Sequence, residues 1–222
     1  MTIKNPFTAP MTAICDPLLT FSVPPSITAA TGMDALTHAI EAFTATCSEP
    51  LSDAAALYAI EIIYQSIVPA FKNGSDPQAR SRLLMGSMLA GIAFSHSDVA
   101  GVHCIAESLG GMYDLPHGVC NAIFLPYMME CNLSYCEDKY TRIARAMGIK
   151  PDTGREGALA AVNAVKQLAK DVELPAFSIL KVDPANYAKI ASVSAMNGSN
   201  MSNPRPMTEQ DYLAVLKMAL EE

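Results

Sequence analysis

Asp34 and His38 stand four residues apart in TGMDALTHAIEAF, and His103 and His117 follow in GVHCIAESLGG and LPHGVCNA. On a helix, a spacing of four places two side chains one above the other on a single face. One carboxylate and three imidazoles offer four donor atoms and one negative charge, a set suited to a divalent first-row metal. An ion so bound keeps a net positive charge and remains a strong Lewis acid. A hydroxyl group at its open position loses a proton far more readily. A DxxxH pair alone is as readily a helix-surface ion pair. Three histidines with an aspartate in apolar, glycine-bounded segments point to a metal instead.

The fourth histidine, His96, lies seven residues before His103 in the polar stretch FSHSDV, which reads as a helix end. It is left outside the ligand set. Cys104 and Cys120 lie close to His103 and His117, but a side chain adjacent to a ligand on a helix points about 100 degrees away. Packing is the expected role of both thiols.

The elements that must bring these residues together are helical. Residues 1–31 carry five prolines and read as an irregular lead in which MTAIC (11–15) is the one plausible short strand. From residue 32 onward, apolar positions recur at spacings of three and four between Gly and Pro breaks, the pattern of amphipathic or buried helices. Ser52-Asp53 and Ser75-Asp76-Pro77 read as helix starts, with an oxygen-bearing cap before the apolar run. No alternating strand pattern longer than five residues occurs, so the expected fold is an all-α domain of eight to ten helices spanning 32–222.

Of 222 residues, half are apolar, enough for a substantial core, and the net charge is -7. An acidic chain without a basic face excludes phosphate-tracking nucleic-acid binding. No uninterrupted apolar run reaches the roughly 18–20 residues of a membrane span, and the amino terminus has no secretory h-region. Six cysteines without a CxxC pair are read as reduced thiols of a cytoplasmic protein.

TGMDALTHAIEAF and GVHCIAESLGGMYDLPHGVCNAIFLPY resemble the two metal signatures of the iron-containing alcohol dehydrogenase family (group III). The resemblance runs from DPLLT at 16–20 to NPRPMTEQD at 203–211. It implies iron(II), or zinc, held by Asp34, His38, His103 and His117, with NAD or NADP as the hydride acceptor. A small primary alcohol or diol is the implied substrate, oxidised reversibly to the aldehyde, and a homo-oligomer is the implied assembly. Where many members carry a second histidine four residues after the third ligand, this chain has Glu107, a candidate proton relay or polar lining. NGSNMSNPR (197–205) carries Asn197 and Ser199 where the family often has Asp and Cys, which bears on substrate preference. Phe94 and Met112 are candidate cavity residues beside Glu107.

The family's amino-terminal dinucleotide-binding half, with its glycine-rich phosphate turn, has no counterpart in these residues. The chain therefore reads as the helical metal-binding half, beginning near the junction and incomplete for turnover unless that half is supplied elsewhere. Two other readings stand beside this one. One is a relative of glycerol dehydrogenase or dehydroquinate synthase; the other is a non-catalytic metal-binding helical fragment.

Overall fold

The computed structural model describes residues 10–151 and 153–221. Among them, eight α-helices run in order: α1 Pro25–Thr44, α2 Pro50–Lys72, α3 Pro77–Ser95, α4 Gly101–Tyr113, α5 His117–Ala146, α6 Gly154–Asp171, α7 Tyr187–Ala195 and α8 Glu209–Glu221. Short 3-10 turns join some of them, and no strand occurs among the described residues. The all-α expectation holds.

Helix α1 is the hub. It packs on α2, α3 and α5, while α4 and α6 lie against α5, and α7 bridges α4 and α8. Its buried stripe of Met33, Leu36, Ile40 and Phe43 meets Ile60, Ile63 and Ile67 of α2 in the core. Fully burying a side chain of this size contributes about 1.5–3 kcal/mol, so the two helices are held by several such residues rather than by helix propensity.

Some local boundaries differ from expectation. The lead is not irregular up to residue 31: α1 begins at Pro25, whose fixed φ and missing N–H are harmless in a first turn. Gly32, read as a boundary, lies inside α1 because a side chain there would stand 2.7 Å from Ile67 Cδ1. The 11–15 segment forms no strand. No neighbouring strand accepts its N–H groups, and Met11 and Ile14 are exposed. Helix α2 starts at Pro50 rather than at Ser52, and Ser52 closes a capping box with Glu49. At α3 the expected start holds, since the Asp76 carboxylate accepts from the backbone of Gln78 and Ala79. Helix α2 is also long and apolar enough to cross a membrane by length and composition. Here, however, Ala56, Ile60, Ile63 and Ile67 turn that apolarity into the core.

The ends of α4 and α5 carry the ligand-type residues. Helix α4 has no side-chain cap of its own, and the amides of Ala100 and Val102 donate to Glu41 on α1, that of Gly101 to Asn203. Helix α5 opens with His117 and Gly118, and Gly118 lies flat against α1. A Cβ at 118 would stand 2.8 Å from the Ala30 carbonyl oxygen and 3.4 Å from Asp34 Cβ. Backbone cannot yield as a side-chain tip can. A Gly118→Val chain is therefore expected to lose about 3 kcal/mol of stability, the upper range for overpacking, read as a lower urea midpoint at unchanged m. A midpoint equal to that of the parent would show that the α1–α5 contact is loose.

Candidate metal centre

Helix α1 carries Asp34, His38 and Glu41 at i, i+4 and i+7, one continuous stripe. The first two are half-buried, and Glu41 is buried. His103 is buried in the first turn of α4, and His117 is exposed at the first residue of α5. Three elements that start or pass at one end of the hub thus deliver the four expected residues to one place.

Their ring nitrogens are assigned by what surrounds them. His38 Nδ1 lies 2.9 Å from the Asp34 carbonyl oxygen, so it carries the hydrogen and donates it. His103 Nδ1 lies 2.5 Å from Glu41 Oε2 and donates likewise. With both Nδ1 atoms committed, each neutral ring turns a bare Nε2 lone pair inward, and these two Nε2 atoms are 3.1 Å apart. Two lone pairs at that distance repel. Only positive charge between them reconciles the pair, either a proton on one ring or a cation bound by both.

Asp34, His103 and His117 each offer one donor atom, and these lie within 4.8 Å of one another. Asp34 Oδ1 is 3.8 Å from His117 Nε2 and 3.7 Å from His38 Nδ1. His38 joins through its Nε2 contact with His103, and its ring leans on Phe94 with centroids 4.6 Å apart. The donor set, one carboxylate with three imidazoles, fits iron(II) or zinc, and the exposed edge at His117 leaves a face open to a small molecule.

The local field separates the two inward rings. Burial disfavours an imidazolium at His103, but the charge and hydrogen bond of Glu41 outweigh it and hold the pKa above the ordinary histidine value. At His38 burial prevails, reinforced by the charge of His103, and the pKa falls. One ring accepts positive charge readily, and the other stays a neutral donor.

Glu41 is the residue that the sequence reading missed. Its carboxylate accepts from the backbone N–H of Ala100 at 2.9 Å and of Val102 at 2.7 Å, besides His103 Nδ1. It both caps α4 and orients the His103 ring, in the position of the outer carboxylate that metal-binding histidines commonly have. The signal was present: Glu41 lies three residues beyond His38 on the stripe already identified. Asn121, one turn beyond His117 on α5, was missed too. Its amide nitrogen donates to Asp34 Oδ1 at 2.6 Å.

The other candidates fall outside the cluster. Glu107 is exposed one turn beyond His103, where its carboxylate accepts from Asn197 Nδ2 at 2.7 Å. Asn197 Oδ1 in turn accepts from the Ser199 N–H at 3.0 Å. Glu107, Asn197 and Ser199 thus form one hydrogen-bonded chain. Met112 is half-buried against the core. His96 is exposed at the end of α3, with Nδ1 2.9 Å from the Ile92 carbonyl. Cys104 and Cys120 are buried, and burial pushes their thiols up to about 12 and about 11.

Comparison with known proteins gives this geometry a family. Residues 28–220 match the sequence profile of the Fe-containing alcohol dehydrogenase family, C-terminal. The chain belongs to the Fe-containing alcohol dehydrogenase family. It is 39% identical over 213 residues to 1,3-propanediol dehydrogenase of Klebsiella pneumoniae, covering 95% of this chain and 55% of that protein. It is 36% identical over 222 residues to alcohol dehydrogenase 4 of Saccharomyces cerevisiae strain S288c, covering 100% of this chain and 58% of that protein. The crystal structure of a 1,3-propanediol oxidoreductase superposes with a TM-score of 0.90 at 39% identity, over 92% of this chain and 54% of that one. The chain spans little more than half the length of these relatives.

Replacing Glu41 by Ala strands two backbone donors and one imidazole donor in a buried place. At about 1–3 kcal/mol for each stranded donor, the loss is expected to reach at least ~3 kcal/mol in urea unfolding. A Glu41→Ala chain as stable as the parent would show that α4 does not depend on this carboxylate.

Proposed function

We propose that this chain supplies the metal-binding half of an NAD(P)-linked alcohol dehydrogenase, which oxidises a small primary alcohol or diol and reduces the aldehyde in the reverse direction. Asp34, His38, His103 and His117 would hold iron(II) or zinc. The observation that carries the reading is the approach of the two bare Nε2 atoms of His38 and His103 to 3.1 Å with both Nδ1 atoms already engaged.

When bound, such an ion supplies Lewis acidity toward a hydroxyl group. The residues do the rest. Asp34 brings the one negative charge, so the centre stays cationic. Glu41 keeps the proton of His103 on Nδ1, so that Nε2 remains a donor. Phe94 shields the His38 ring and narrows the access of water. His117, at the open edge, stands where a substrate oxygen would approach. Glu107, held by Asn197, is proposed as the polar group that passes the hydroxyl proton toward solvent. The nicotinamide would be carried by a dinucleotide-binding half outside these residues.

Two measurements test this. Purified chain exposed to iron(II) under anaerobic conditions, or to zinc, is expected to retain about one equivalent after dialysis, and His103→Ala is expected to retain almost none. Aldehyde-dependent NADH oxidation is expected to be near background for this chain alone and to appear when a family dinucleotide-binding half is supplied as a second polypeptide. Failure of the parent chain to retain an ion would remove the proposal.

A further inference from the structure

Arg80, near the start of α3, is only 3% exposed. Nε donates to the Gly74 carbonyl at 2.8 Å, one terminal nitrogen to Thr28 Oγ1 at 2.7 Å, and the other to the Val23 carbonyl at 3.0 Å. Gly74 makes room for the group, since a Cβ there would stand 2.8 Å from a terminal nitrogen of the guanidinium. These bonds join the lead, α1 and the turn before α3, and they account for a structural role. They leave the rest of the group unexplained.

Every acceptor that Arg80 has is neutral. A guanidinium carries five N–H groups, so one on each terminal nitrogen is left without an acceptor among the described residues. Burial alone moves its pKa, downward, with no carboxylate charge to offset it. A buried cation is ordinarily paired. Arg80 also lines a cavity of about 120 Å³ between the lead, α1 and α3, and no aspartate or glutamate lines it. Thr28 and Ser87 bring hydroxyl groups to its wall, and Val23, Ala35 and Leu84 bring apolar surface. Thr28 Oγ1 accepts from Arg80 and keeps its own hydrogen to give. In a chain of net charge -7, this hollow is locally positive.

Water can meet the two remaining N–H groups, but it leaves the charge unpaired. A small oxyanion does both, because its oxygens take the hydrogens while its charge offsets the guanidinium. We propose that this cavity is a binding site for a small oxyanion, a carboxylate or a phosphate group, held by Arg80 and the Thr28 hydroxyl. None of the metal-ligand residues lines it, and the inference does not rest on the ion-binding reading.

The metal-free 222-residue chain is melted under circular dichroism in sodium acetate, sodium phosphate or sodium chloride at equal ionic strength. A ligand that binds only the folded state raises the midpoint saturably. The general effect of excluded salts does not saturate and is shared by every variant. Thr31 is exposed on the cavity wall, so it accepts replacement. Thr31→Glu sets a carboxylate one turn from Thr28 as a built-in anion, and Thr31→Gln has the same shape without the charge. Acetate, phosphate or both are expected to raise the midpoints of the parent and of Thr31→Gln saturably beyond chloride. Thr31→Glu is expected to need at least about tenfold more oxyanion for half the effect, the scale of one charged hydrogen bond. A response to acetate alone assigns the site to carboxylates, and one to phosphate alone assigns it to phosphate groups. A parent whose midpoint in both oxyanions merely follows chloride overturns the proposal, because water alone then fills the cavity. So does a Thr31→Glu chain that answers to oxyanion as Thr31→Gln does, because the anion then binds elsewhere.

Discussion

A single buried carboxylate holds the arrangement together. Glu41 sits on the hub helix and accepts from two backbone amides at the start of α4 and from the His103 ring. The first amides of any helix need acceptors, and α4 has no local side chain to provide one. A carboxylate so deeply buried is stable only if its oxygens are fully used, and here Oε2 takes two donors and Oε1 one. Helix start, ligand orientation and charge balance are thus one interaction. Its consequence is chemical: the proton of His103 is held on Nδ1, and its lone pair has nowhere to point but inward.

The second constraint is steric. His117 can approach Asp34 only because its neighbour Gly118 lets α5 lie against the Ala30 carbonyl. Gly32 lies similarly close to α2, but against the Ile67 side chain rather than backbone. Neither glycine is a break in the chain; both are places where two helices meet more closely than a side chain would permit. The centre is therefore buried on the Glu41 side and open on the His117 side. One half is enclosed and the other reachable, which suits the proposed binding of an ion and a small molecule.

Glu107, Asn197 and Ser199 form a hydrogen-bonded chain at the rim. The carboxylate lies on α4 and the amide on the later segment, with the Asn197 amide nitrogen donating to Glu107.

The all-helical architecture and the residue types that cluster around Asp34 were legible in the sequence, because helical periodicity and i, i+4 spacing are local properties of the chain. Asp76 as a cap was legible for the same reason. Glu41 and Asn121 were not recognised, although each lies on a stripe already marked, since nothing local says that a carboxylate's partners are amides 59 and 61 residues away. The beginning of α1 was misplaced because Gly32 looks like a boundary until Ile67 is seen against it. Residue types and spacing determined which atoms could bind a cation. Only the tertiary structure decided which lone pairs face each other, because the hydrogen of an imidazole goes to whichever nitrogen meets an acceptor, and that acceptor arrives from another helix.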